Sequence, residues 1–435
     1  MPPAPGAVER ATVQRKVVRT LVLSQVLGGV GMASGIAVGA LLAEDLSGTE
    51  ALAGFGTTSQ VLGTALLTIP VARATAASGR RVGLRLGLSV AFVGAGLVLA
   101  AAVVRSFPLF VVGMFLFGGG TTANNQTRYA AADLASPAHR GRDLSIVVWA
   151  TTIGSVAGPN LVGPGKALAQ AVGLPELAGT FVFSLVGFML AWLVVDRLLR
   201  PDPLLTARAF DAADLEESRL AGGVHEAPNH DGSMRRGLAV VRANPAALRA
   251  MLVMALGHLV MVSVMVMTPI HMKHGHAELE VIGFVISVHI LGMFALSPLV
   301  GMAVDRWGSQ WVATVGGAVL MVAAVLASWT EAGWSGLLLA ALFLLGVGWS
   351  CTLVSGSTLL TAAVSTDERP ATQGLADVVM GLAGAVGGVA AGVVVGSLGY
   401  GALASGSAVV GVVVLVLGAV AVARSTRRPG PAVPA

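Results

Sequence analysis

AALRAMLVMALGHLVMVSVMVMTPI (residues 246–270), HMKHGHAELE (271–280) and VIGFVISVHILGMFALSPLVGMAV (281–304) follow one another without a break. The first and third stretches are almost wholly apolar, and each reaches the roughly 20 residues that a helix needs to cross the hydrocarbon layer of a bilayer. The middle stretch is short and polar, as a connection between two crossings should be. The same alternation extends outward in both directions. It predicts crossings near 20–43, 51–72, 84–104, 107–132, 144–170 and 178–198 before this pair, and near 311–329, 334–363, 374–397 and 401–423 after it. With 55% hydrophobic and 11% charged residues and a mean hydropathy of +0.82, the solvent of this 435-residue chain is lipid. Its 57 glycines fit helices that approach closely in lipid.

The twelve expected crossings fall into two sets of six. Residues 1–199 form an N-terminal half, 245–435 a C-terminal half, and 200–244 a charged cytoplasmic connection longer than any other. The expected fold is therefore an all-α polytopic membrane protein. Of 27 Lys and Arg, all but Arg105, Lys166, Lys273 and the intramembrane Arg128 lie toward one face, and the positive-inside rule makes that face cytoplasmic. Both termini are then cytoplasmic, including the basic head (Arg10, Arg15, Lys16, Arg19) and tail (Arg424, Arg427, Arg428), and the membrane is the cytoplasmic (inner) one. The full length of the first crossing argues against a cleaved signal. The basic balance reads as orientation and not as nucleic-acid binding. Cys351 is the sole cysteine, so no intramolecular disulfide forms.

Several motifs narrow the class. ADLASPAHRGR after the fourth crossing and AVSTDERPATQG after the tenth occupy corresponding places, a weak internal repeat; parallel repeats imply a solute path between two halves. After the eighth crossing, GMAVDRWGSQ resembles the loop signature of the major facilitator superfamily through Gly301, Asp305, Arg306 and Gly308. In such a loop the Gly residues allow tight turns, and the Asp and Arg pin neighbouring helix ends and release them on switching. The corresponding loop of the first half, PVARATAASGRRVG, keeps Gly79, Arg80 and Arg81 but lacks the acid. In the fifth crossing, GSVAGPNLVGP (Gly154, Gly158, Pro159, Gly163, Pro164) is similar to the motif of proton antiporters of that superfamily, but GxxxG spacing is primarily a packing device, and a kinked, tightly packed helix is the favoured reading.

Residues 251–302 concentrate Met (251, 254, 261, 265, 267, 272, 293, 302) and His (258, 271, 274, 276, 289). Met251, Met254, His258, Met261 and Met265 recur at helical spacing and share one face, and His289 and Met293 lie one turn apart on the next crossing. A Met stripe is commonly a packed seam. Imidazole within the membrane is costly and faces the bundle interior for a functional reason, and thioether with imidazole selects copper, above all Cu(I).

The pairs Met261/Met265 and His289/Met293 resemble the Met and His motifs of the CcoA-like copper importers, a major facilitator family. NNQTRYAAADLASP (Asn124, Gln126, Arg128, Tyr129, Asp133) and QGLADVVMG (Gln373, Asp377) are similar to that family as well. The resemblance implies copper as the transported substrate, import by alternating access, a cytoplasmic copper acceptor serving cytochrome oxidase assembly, and Met261, Met265, His289 and Met293 as ligands, with His258 beside them. Two other readings stay open: proton-coupled export of drug-like molecules, and a non-transporting sensor that binds copper. HMKHGH reads as an outer metal-capture site or as a solvated loop. Arg128 and Asp133 read as an intramembrane ion pair, or Asp133 as an interfacial residue. Asp377 reads as a proton carrier or as a helix N-terminal acid. No GxxxxGK[ST] segment occurs, so ATP-driven transport, enzymatic activity and a prosthetic group are not expected.

Overall fold

In lipid each backbone N–H and C=O must be satisfied within its own segment, so apolar stretches of this length become helices. The computed structural model describes residues 7–49, 52, 55–220 and 233–426, and among them it contains helices and no strands. Residues 221–232 of the central connection and Arg427 and Arg428 of the basic tail lie outside the described residues.

The helices are α1 (Ala7–Ser47), α2 (Phe55–Ser78), α3 (Arg80–Val104), α4 (Phe107–Ala132), α5 (Arg140–Asn160), α6 (Val162–Val172), α7 (Gly179–Leu198), α8 (Pro203–Leu220), α9 (Met234–Ala243), α10 (Pro245–His274), α11 (Leu279–Phe294), α12 (Ser297–Trp307), α13 (Ser309–Ser328), α14 (Gly336–Ala363), α15 (Arg369–Leu398) and α16 (Tyr400–Thr426). Among the described residues, eleven spans are long and apolar enough to cross a membrane, or twelve when α5 and α6, bent by 56° at their junction, count as one. The bend falls between Pro159 and Pro164, where ring and missing N–H interrupt the helical ladder. The eighth crossing is likewise broken, α11 giving way to α12 just before Ser297 and Pro298. The first helix begins well before the apolar stretch and carries the basic head. The central connection, expected as a long charged loop, is helical over α8 and α9.

The chain forms two compact units that do not coincide with the sequence halves. Unit 1 takes in the chain up to Ser136, Ile146–Ala243 and Val364–Gly381; unit 2 takes in Pro137–Ser145, Asn244–Ala363 and the chain from Leu382 onward. In unit 1, Phe117 packs edge-on against Phe181 and Phe188 at 5.9 and 5.2 Å, within a continuous apolar core that includes Leu21, Leu88 and Phe110. Here α5 crosses α1 so closely that a Cβ on Gly154 would lie 2.5 Å from the Gly29 backbone, and one on Gly158 would run into Ala33. These two glycines of the fifth-crossing motif are thus packing positions, whereas Gly163 faces open space. In unit 2, Val253, Ala313 and Val414 join α10, α13 and α16.

Candidate functional site

The α15 sequence sets Arg369, Gln373 and Asp377 at intervals of four, which places them on one polar stripe over two turns. On α4, Gln126 and Asp133 are seven residues apart and share a face, with Arg128 and Tyr129 between them. Within unit 1 these stripes and the first residue of α3 build a buried network. Arg80 holds Asp133 through two hydrogen bonds, Nε to Oδ2 at 2.7 Å and Nη2 to Oδ1 at 3.3 Å, and both side chains are fully buried. The same guanidinium donates to Gln126 Oε1 at 2.9 Å and to Gln373 Oε1. Arg128 donates to Asp377 Oδ1 at 2.6 Å, and Gln126 Nε2 donates to Asp377 Oδ2 at 2.8 Å. Arg369 Nη1 reaches the Asp133 carbonyl at 3.1 Å and its carboxylate at 3.6 Å. Tyr129 lies under the Arg128 guanidinium at 4.6 Å and accepts from it at 3.2 Å.

Three guanidiniums therefore share two carboxylates away from solvent. A buried charge is tolerable when paired and hydrogen-bonded, and costly once a partner leaves. The expected ion pair between Arg128 and Asp133 does not form. Five residues apart on a helix, they point about 140° away from each other, and each finds an opposite charge on a different segment. Arg369 escaped the sequence reading altogether, and Arg80 entered it only as part of a loop signature. The visible signal for Arg369 was its four-residue spacing with Gln373 and Asp377. Asn124 lies apart from this network, with its amide 3.9 Å from the Met32 sulfur.

The loop signature lies in unit 2. Asp305 accepts the backbone N–H groups of Gly141 at 2.7 Å and Arg142 at 2.8 Å, satisfying donors at the start of α5. Gly301 abuts Ser145, leaving no room for a Cβ. Gly308 takes φ 90°, a conformation that favours glycine, at the turn into α13. Arg306 is exposed and makes no ion pair with a described residue. In the first half, whose loop lacks the acid, Asp202 from beyond α7 accepts the Arg81 N–H at 2.7 Å.

The Met and His stripe of α10 turns toward α14. Met254 sulfur accepts from Ser357 at 3.4 Å, and His258 Nδ1 accepts from Trp349 Nε1 at 3.0 Å. Met261 is buried and Met265 half-buried. On α11, His289 is fully buried with Nδ1 2.8 Å from the Leu342 carbonyl, its Nε2 has no hydrogen-bond partner among the described residues, and Met293 is half-buried. The α14 partners of the two histidines, Leu342 and Trp349, are seven residues and so about 10.5 Å apart along the axis. No group of three or more His, Cys, Asp or Glu among the described residues is placed to hold a metal. In the HMKHGH segment, His271 stacks on Tyr400 at 4.0 Å, and Lys273, His274 and His276 are exposed.

A family model described as Major Facilitator Superfamily matches residues 21–280 and 250–435. Two proteins of Bacillus subtilis strain 168 described as uncharacterized MFS-type transporters are similar throughout. YddS is 36% identical over 92% of this chain and 89% of its own length, and YdeG is 39% identical over 88% and 86%. The riboflavin transporter RfnT of Brucella anthropi is 27% identical over 85% of this chain and 86% of its own. Among solved structures, the human organic anion transporter MFSD10 superposes with a TM-score of 0.70 at 19% identity, over 93% of this chain and 99% of that one, a likeness of fold.

Proposed function

The chain belongs to the major facilitator superfamily, and from that premise we propose that it is a proton-coupled transporter of a small organic solute in which Asp377 carries the coupling proton. The observation that carries this reading is the Arg128–Asp377 pair, with side chains 6% and 2% exposed inside membrane-spanning helices. Ionisable residues at such positions mark transport and proton pathways. A proton delivered from water to a carboxylate oxygen of Asp377 removes the negative charge that holds Arg128. The neutral acid keeps its contact with Gln126, and the α4–α15 junction is freed to rearrange. Alternating access then couples this rearrangement to the passage of solute. The organic solute class is supported by the relationship to RfnT, named for riboflavin.

The test uses proteoliposomes of the full chain on a solid-supported membrane, challenged with flavins, sugars and organic anions. The wild type gives a proton-coupled current with its solute. Asp377→Asn abolishes that current but retains solute exchange at equal concentrations on both sides. A current preserved in Asp377→Asn overturns the assignment.

A second reading, copper import with delivery to a cytoplasmic acceptor, is favoured by one observation, the buried His289 Nε2 without a hydrogen-bond partner among the described residues. With Met293 one turn away and Met261 and Met265 on α10, soft ligands are available to Cu(I). Cell-associated copper in an expressing strain separates the readings. Copper import raises it in the wild type and not in His289→Ala; the proton-coupled organic reading leaves it at the control level in both.

A further inference from the structure

A second feature is a groove in unit 2 walled by α12, α13 and α14. Its cavity is about 340 Å³, within the range of small-ligand sites. The walls are apolar throughout, with Leu299, Val315 and Val347 along them, Cys351 at the base, and Trp307 and Trp311 at one end. Trp307 is 65% exposed, Trp311 54% and Leu299 59%, so the groove opens outward from helices that span the membrane.

We infer that this groove binds an acyl chain of an anionic phospholipid whose headgroup is held by Arg306. An outward-opening apolar groove on a membrane-spanning segment meets lipid tails, and Trp at one end marks the level of the headgroups. Charge selects among lipids. Arg306 follows Leu299 by seven residues, so it lies on the same side of the helix about 10.5 Å further along. A chain seated beside Leu299 thus has its phosphate near an exposed guanidinium that makes no ion pair with a described residue. The neighbouring acid does not compete, because the Asp305 carboxylate is turned to the backbone N–H groups of Gly141 and Arg142. An exposed cation at the headgroup level attracts anionic lipid to the protein.

The full chain in phosphatidylcholine nanodiscs, doped with the same small fraction of brominated phosphatidylglycerol or brominated phosphatidylcholine, tests this by tryptophan quenching. The signal of Trp307 and Trp311 is the difference between wild type and a Trp307→Phe/Trp311→Phe variant. Brominated phosphatidylglycerol should quench that signal as though enriched about fivefold over its bulk fraction, the selectivity expected of one basic residue at a membrane surface. In Arg306→Gln the two lipids should quench equally. Native mass spectrometry of retained lipids on wild type and Arg306→Gln gives the same comparison without tryptophan substitutions. Equal quenching by the two lipids in the wild type, or a preference that survives Arg306→Gln, overturns the proposal.

Discussion

Arg128 on α4 and Asp377 on α15 stand 249 positions apart in sequence and meet at 2.6 Å, both nearly sealed from solvent. A pair in such surroundings is held by mutual need. Separately solvated, each charge would be content, but removing one leaves the other stranded. That asymmetry makes the pair a candidate switch, since a single proton on the carboxylate changes which partner arrangement is favourable.

Asp377→Ala should destabilise the protein by about 3–5 kcal/mol, the cost of leaving a buried charge without its partner. Replacing both members, as Arg128→Met/Asp377→Ala, should recover most of that loss because no charge is then stranded. Thermal unfolding in detergent reads both variants. A double variant as unstable as Asp377→Ala would show that the pair is not the source of the effect.

Asp305 accepts two backbone N–H groups at the start of α5, so Asp305→Ala should cost about 0.5–2 kcal/mol, as loss of a helix cap does. Asp305→Asn keeps one acceptor oxygen and should cost less. Hydrogen exchange at the Gly141 and Arg142 amides should quicken in the Ala variant. Unchanged exchange there would mean that water replaces the carboxylate without loss.

Gly154→Leu and Gly158→Leu should each prevent α1 and α5 from packing, because the added side chain meets Gly29 or Ala33 at once. Gly163→Ala meets open space and should be accepted. Recovery of monodisperse protein after size-exclusion chromatography distinguishes them. Equal recovery of all three variants would contradict the close α1–α5 contact.

The twelve-crossing plan was legible because each crossing declares itself locally, as a run of apolar residues long enough for lipid. The break between α11 and α12 was not read, although Pro298 marks it, since an apolar run continues through the break. The charge network was harder to read. Arg80 is 293 positions from Gln373 and 53 from Asp133, and periodicity within one helix says nothing about which other helix it meets. The Met and His stripe of α10 shows both sides of this limit. Its shared face was plain from spacing, but that this face turns to Ser357 and Trp349 of α14 required the fold. The loop acid Asp305 was recognisable by motif, and its partners, the amides of Gly141 and Arg142, were not.

The most direct measurement is the infrared difference spectrum of the full chain in lipid between neutral and acidic solution. Asp377 as proton carrier predicts that a buried protonated-carboxyl band grows on acidification in the wild type and is missing in Asp377→Asn. Arg128→Met, which removes the cation holding the carboxylate, should carry that band already in its absolute spectrum at neutral pH, so its difference spectrum should lack the growth. Identical difference spectra for wild type and Asp377→Asn would contradict the account, because the proton would then reside elsewhere.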